Sequence, residues 1–522
     1  MDNKIKFGQY FTPKHIADFM VSLNTLNDKS ISILEPSFGE GVFLDSLVEC
    51  GYENIDGFEY DTSLKKYSDN NVKTFYESFI TKSIEKKYDL IIGNPPYIRW
   101  KNLDENLKNE LENYPLWNKY FNSLCDYLYI FILKSIELLK NNGELIFITP
   151  EFWLSTTHSI SLRNYMLDNG YIEELIHFKE APIFDKVASS IIIFKYKKTK
   201  KKKDTIDFYF YNERKKVDSE ALNKFYSKNN RIVIPSFNLN EQWVLAEEEI
   251  QKELEIFENK CSIINKKNDS LFSTNTLITL NDICEIGNGM VSGLDKAFQL
   301  NSKTKLTKSE ENKSINVVKA KDLEQFFYHK KTKYIFTNDI ECEETLQSDF
   351  PNFYNQLNEY KEKLLDRYNY NRNINYWEWV FLRNYNLFNT ENPKIFIPCK
   401  ERISHKKYFR FSLIEGKVYP TQDISCIIPK ENTKESIFYI LSFLNNKRVY
   451  DWITHKGIIK GNIVEFSRKP ISIIPFRCIN WNLDFEVDVH NKIVELTKGI
   501  IATKDLSLVS ELDKQFDLLF QF

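Results

Sequence analysis

Four consecutive residues, Asn94, Pro95, Pro96 and Tyr97, carry the strongest chemical signal in the 522-residue chain. Each proline fixes φ and lacks an N–H, and Pro96 also restricts the backbone of Pro95. The loop is therefore stiff, and its carbonyls lack local donors. The Asn94 amide oxygen beside the Pro95 carbonyl makes a double acceptor, and the Tyr97 ring adds a flat apolar face. An amino group on an aromatic ring requires that combination. Its lone pair is delocalised into the ring, so it is a poor nucleophile. Two acceptors on its hydrogens favour a pyramidal nitrogen and stabilise the positive charge that develops as it attacks an electrophile. Neither a metal nor a side-chain nucleophile is needed. The same four residues also suit an ordinary Pro-Pro turn after a strand, so their surroundings must decide.

The apolar run 88–93 ahead of them is too short for a helix and reads as a buried strand. Residues 31–34 read as another strand. It leads into Glu35, Pro36, Ser37, Phe38, Gly39, Glu40 and Gly41, and a helix follows from Val42. Strand, glycine-rich turn and helix form the opening unit of a Rossmann-like sheet, in which Gly39 and Gly41 let backbone approach a ligand closely. The three-glycine dinucleotide pattern is not met, because position 44 is Leu. Glu35 at the head of the turn disfavours a pyrophosphate and suits a cation such as a sulfonium. A second strand, 55–59, ends in Glu59, where doubly wound folds place a carboxylate on a ribose diol. Further upstream, Thr12 and Pro13 read as the N-cap and first position of a helix whose apolar residues are Ile16, Phe19, Met20 and Leu23.

With these motifs in this order, the chain resembles the gamma-type DNA adenine-N6 methyltransferases of bacterial restriction–modification systems. The resemblance continues through 126–129, the helix, turn and strand ending at 142–150, and the stretch 184–194. It covers roughly the first 200 residues. It implies S-adenosylmethionine as cofactor, with Thr12 and the 35–41 loop holding the methionine part and Glu59 the ribose. It implies that Asn94 and the Pro95 carbonyl receive the adenine amino group while Tyr97 and Phe184 stack on the base. Where the family has Asp-Phe after the third strand, this chain has Glu77, Ser78 and Phe79. Ser78 or Glu77 is then left to meet the cofactor adenine, with Phe79 packing on its ring. Double-stranded DNA is the implied partner, and the resemblance leaves room for a separate cognate restriction endonuclease.

Length alone calls for two or three domains. The expected organisation is a Rossmann-like, mixed, mostly parallel α/β methyltransferase domain over residues 1–240, then an α/β DNA-recognition region over 241–522. Net charge is −2, so any DNA-binding face must come from local clustering of the 71 Lys and Arg residues. The eight cysteines are scattered without Cys-x-x-Cys pairs or metal-ligand spacing, so no metal site is expected. No leader-like or membrane-spanning apolar stretch is evident, and a cytoplasmic location is expected. The lysine-rich run 195–203 fits either a solvated loop or a phosphate contact. The glycine-rich segment 283–293 lacks the ending of a phosphate-binding loop and is similar to a turn in the family's recognition domains. The basic, aromatic segment 394–410 suits a DNA backbone groove or a solvated strand face. Two other readings stay open: a protein glutamine-amide methyltransferase, which shares Asn-Pro-Pro-Tyr, and a DNA-binding module without activity.

Overall fold

The computed structural model describes residues 10–184, 190–265, 274–301 and 304–521. Its chain forms two compact units, Met1–Gln251 with Lys460–Asn462, and Lys252–Ile459 with Ile463–Phe522.

The first unit is built on a nine-stranded sheet. Its strands are β1 (Ile33–Glu35), β2 (Ile55–Phe58), β3 (Val72–Phe75), β4 (Tyr88–Gly93), β5 (Leu139–Pro150), β6 (Gly170–His177), β7 (Ile191–Lys198), β8 (Thr205–Phe210) and β9 (Ile232–Pro235). Their order is β3-β2-β1-β4-β5-β7-β6-β8-β9. From β3 to β5 every pair is parallel, while β7 runs antiparallel to both neighbours. The mixed, mostly parallel α/β architecture is the one expected from the sequence. Apolar residues alternate along β4. Ile91 packs in one core with Leu34 and Phe58, whereas Leu90 and Ile92 pack in the other with Ile33. Period-two alternation with both faces apolar is what a strand sandwiched between helix layers requires. Helices α1 (Lys14–Ser22) and α2 (Val42–Glu49) cover the second face. The first face is covered in part by α3 (Glu105–Glu112) and by α4 (Leu128–Leu138), whose residues are almost all buried.

One detail of this layer differs from the sequence reading. Helix α1 begins at Lys14 with Pro13 as its N-cap residue and no side-chain cap, so Thr12 stands outside the helix. The Thr12 hydroxyl is thereby free to face the Asn94 loop. Chain order turns back between β1 and β4: the chain runs outward from β1 through β2 to β3 and returns to β4 on the other side. Such a switch point opens a crevice at the carboxyl ends of the strands.

The second unit contains a four-stranded antiparallel sheet of Cys284–Asn288, Ile424–Pro429, Lys394–Pro398 and Ser412–Ile414. A three-stranded sheet and the helices Ile437–Leu444, Lys447–Lys456, Asp484–Thr503 and Val509–Gln521 accompany it. Much of the basic, aromatic segment 394–410 turns inward. Lys394 is buried and donates to the Gly416 and Thr390 carbonyls, Phe396 and Phe409 are core residues, and Arg410 pairs with Glu401. Lys400, Lys406 and Lys407 remain exposed. The lysine run of the first unit divides in the same way: Lys195 is buried near Glu144 and Glu173, Lys198 donates to backbone carbonyls, and 200–202 are exposed. Among the described residues no helix is long and apolar enough to cross a membrane, and no cluster of candidate metal ligands occurs.

Candidate active site at the carboxyl ends of the central strands

A cleft, partly open to solvent, lies where β1, β2 and β4 end. Its lining includes Pro36, Ser37, Gly39, Glu59, Ser78, Phe79, Asn94 and Pro95. These residues lie far apart in sequence and meet because parallel strands end at a common edge.

Asn94 follows β4 directly, and its side chain is oriented by two acceptors. Nδ2 donates to the Tyr10 carbonyl at 2.7 Å and to the Thr12 hydroxyl at 3.2 Å. Oδ1 is buried and has no well-formed hydrogen-bond partner. Buried polar atoms are ordinarily satisfied, so an oriented, unsatisfied acceptor on a cleft wall calls for a ligand donor. The Ser37 hydroxyl donates to the Asn94 carbonyl at 3.2 Å and so ties the turn after β1 to the turn after β4. Burial raises the Tyr97 phenol pKa far above its usual range, with Tyr10 adding to the effect and the Asn94 amide opposing it. At the site Tyr97 is thus a neutral ring.

Glu35 ends β1 and is 1% exposed. A Cβ on Gly93 would stand 3.3 Å from its Cγ, so the bare backbone of Gly93 makes room for it. Its Oε2 has no partner, and burial, then the charges of Glu59 and Asp45, push its pKa well above the ordinary carboxylate range. A cationic ligand would reverse that shift. Glu59 accepts from the Gly39 N–H at 2.8 Å and the Asp61 N–H at 2.7 Å, and the Tyr60 N–H also favours its charged form against burial. Gly39 has φ +56°, a left-handed conformation, and faces Phe11. Gly41, with φ +89°, makes room for something other than the cleft: a Cβ there would meet the Tyr67 ring at 2.5 Å.

Ser78 opens the far end of the cleft beside Phe79. Its hydroxyl donates to Glu110 Oε2 at 3.0 Å and accepts from the Thr81 N–H at 3.4 Å. Glu77 instead pairs with Lys82 at the surface. The turn itself is clamped by Lys134 of α4, whose ammonium donates to the carbonyls of Phe79, Ile80 and Lys82 at 2.6–2.8 Å. Burial lowers the Lys134 pKa to about 8. Phe184 is buried and lies 6.1 Å from the Tyr10 ring. Residues 185–189, which follow it in the motif read from sequence, lie outside the described residues.

Comparison with known proteins gives this geometry its context. A family model described as Eco57I restriction-modification methylase matches residues 17–184. The type II methyltransferase M.HindII of Haemophilus influenzae is 45% identical over 517 residues, 99% of this chain and 98% of that protein. The chain belongs to the type II restriction–modification methyltransferases. M.HincII, also of Haemophilus influenzae, is 43% identical over the same span. Among solved structures, the type IIL restriction-modification enzyme MmeI, determined in complex with DNA, has the same fold across 98% of this chain and 72% of that one, with TM-score 0.56 and 12% identity.

Several cleft residues of this methyltransferase escaped the sequence reading. Tyr10 stacks on Tyr97 with ring centroids 5.2 Å apart and planes 7° from parallel. Tyr60, Ile98, Leu107, Tyr127 and Phe131 complete the walls. Tyr10 stands two residues before Thr12, which the sequence reading did single out, so that spacing was a usable signal. Leu107 and Phe131 are apolar helix residues like many others, and only the packing marks them.

Proposed function

We propose that this methyltransferase transfers a methyl group from S-adenosylmethionine to N6 of an adenine flipped out of duplex DNA, as the modification partner of a restriction system. The observation that carries the reading is Asn94, whose amide nitrogen is fixed on Tyr10 and Thr12 while its oxygen stays buried and unsatisfied beside Pro95. An N6 amino group has two hydrogens to give, and the Asn94 oxygen with the Pro95 carbonyl can accept both. A cytosine-C5 reaction would need a cysteine nucleophile next to this loop, and the nearest cysteine in sequence, Cys125, is a buried thiol held up in pKa by desolvation.

The residues present also suit the cofactor. Glu35, buried with an unpaired oxygen, would face its positive end; Glu59 would accept from the ribose hydroxyls; Ser78, Phe79 and Phe131 would enclose the adenine. Bound there, S-adenosylmethionine supplies an electrophilic methyl group. Asn94 and the Pro95 carbonyl draw positive charge onto the amino hydrogens of the target, and Tyr97 holds the base plane. Alignment of nitrogen and methyl carbon can lower the barrier by roughly 7–11 kcal/mol. Similarity along the whole chain to type II methyltransferases favours this reading over a protein-amide substrate. The test is methyl transfer from radiolabelled cofactor to unmethylated duplex DNA, followed by nucleoside analysis. N6-methyladenine is the expected product; label in N4-methylcytosine or in protein would refute the assignment.

A further inference from the structure

The second unit carries a loop that the sequence motifs do not include. Segment 366–375 contains four asparagines, two arginines and two tyrosines against a single acid, Asp366. Tyr368 is 70% exposed and Tyr370 40%, their rings 4.6 Å apart. Tyr370 and Asn371 both have left-handed backbone, with φ of 56° and 58°. That conformation costs roughly 1–2 kcal/mol for each non-glycine residue and persists only where neighbouring structure enforces it.

The enforcing contacts are visible. Asn369 accepts the Asn371 N–H on its side chain and the Arg372 N–H on its carbonyl, each at 3.1 Å. Arg367 turns inward and closes the base of the loop. It donates to the Ser292, Asn375 and Glu378 carbonyls at 2.9, 3.1 and 2.6 Å. Gly293 makes that possible, since a Cβ there would stand 2.7 Å from Arg367 Cδ. The glycine-rich segment 283–293 thus serves as the platform on which this loop is built.

Arg372 is the opposite of Arg367. It is exposed, and its guanidinium lies over the Phe381 ring with Cζ 3.7 Å from the centroid. One face of the fork is covered, and no ion-pair partner for it occurs among the described residues. The ring anchors the exposed guanidinium and leaves its N–H donors available to a ligand.

We propose that loop 367–375 reads base edges in a groove of the target duplex, with Arg372 bonding a guanine. This rests on duplex DNA being the substrate, as proposed above. A planar, pre-oriented guanidinium matches guanine O6 and N7 with two parallel hydrogen bonds, and asparagine amides are the usual partners of adenine N6 and N7. Phosphate binding would instead call for several outward cations, and the loop's other arginine is committed to backbone carbonyls. The Asn369 and Asn375 amides are engaged within the loop, which leaves the exposed Asn371 and Asn373 amides for base edges.

The experiment expresses full-length wild type, Arg372→Ala and Arg372→Lys in a methylation-free host and maps methylated sites by long-read sequencing. Wild type should methylate one site containing an obligatory G·C pair. Both variants should accept other bases at that one position, with cognate turnover down roughly 10–100-fold. Melting temperature and binding of S-adenosylhomocysteine should be unchanged, as should the salt dependence of duplex binding. A uniform loss at all sites, with the salt slope reduced by about 1, would make Arg372 a phosphate contact and overturn the proposal. So would an unchanged site preference in both variants, which would leave the loop to a protein partner. A wild type that methylates no DNA fails on the function itself, whereas a wild type with a defined site beside unaltered variants sinks the loop alone.

Discussion

At the residue scale, Asn94 combines an anchored nitrogen with an open oxygen. Asn94→Ala removes an acceptor that strengthens only as the target nitrogen gains charge. The expected result is a kcat lower by roughly 10²–10³-fold with duplex affinity nearly unchanged. Single-turnover methyl transfer alongside a binding titration checks it, and residual turnover above a tenth of wild type would contradict the role. Asp126 poses a different question. Burial raises its pKa to about 6, against the Leu128 N–H and Arg99, which favour the charged form. A carboxyl with a raised native pKa holds its proton more tightly folded than unfolded. Its contribution to stability therefore falls as pH rises from about 4 to 6, and the deficit stays above 6. Asp126→Asn keeps an oxygen for the Leu128 N–H and removes the buried charge. The variant should melt above wild type at pH 7, by up to about 3 kcal/mol, with the gap narrowing toward pH 5. Thermal scans across that range decide the matter; a gap independent of pH would show that Asp126 is not buried as a charge.

At the scale of elements, the glycine turn and the Ser78 turn are both shaped from behind. Gly41 is left-handed at the N-cap of α2, and the Tyr67 ring, whose hydroxyl donates to Asp45 at 2.8 Å, fills the space a side chain would need. Gly41→Ala should destabilise the first unit by roughly 1–3 kcal/mol. The double variant with Tyr67→Ala should recover the steric part but not the φ part, so denaturant titrations of both variants separate the two. The Ser78 turn depends on Lys134 in a comparable way. Lys134→Met leaves three carbonyls without their shared donor, and hydrogen bonds from a charged group are worth roughly 1.5–3 kcal/mol each at most. The expected outcome is weaker binding of S-adenosylhomocysteine, by about tenfold or more, with kcat at saturating cofactor little changed. Calorimetry provides the first number and steady-state kinetics the second. A loss confined to kcat would separate Lys134 from the cofactor end of the cleft.

Taken as a whole, the molecule places Asn94 and Pro95 in the wall of a cleft at the sheet edge that Tyr10, stacked on Tyr97, also lines. Under the proposed function the target base would leave the stack to bring its amino group to these acceptors, at a cost of a few kcal/mol, partly offset by stacking on an aromatic side chain at about 1–3 kcal/mol. Because Tyr10 already lies parallel to Tyr97, an arriving base has to insert beside this pair or displace Tyr10. A duplex carrying 2-aminopurine at the target position should brighten when the full-length enzyme binds, and Tyr97→Ala should change that signal by removing a quenching ring. A target probe as quenched as in free duplex, with a catalytically competent enzyme, would rule flipping out.

The order of strands, turns and chemical residues was legible in the sequence because those features are local. A strand bounded by glycine and prolines, acids at strand ends and a stiff Asn-Pro-Pro-Tyr turn follow from residue type and spacing, and the α/β class follows from their alternation. Whether a residue faces the cleft does not. Thr12 has the composition of a helix cap, yet α1 starts later and leaves its hydroxyl for Asn94. Gly41 has the look of a ligand-loop glycine but accommodates Tyr67. Lys394 and Arg410 count as basic in composition and are spent on internal carbonyls and on Glu401. Sequence records which groups can bond, whereas the partner each one bonds is set by which distant segments the sheet brings within 3 Å. For that reason Tyr10 on Tyr97, Glu110 behind Ser78 and Arg372 on Phe381 emerged only from the tertiary structure.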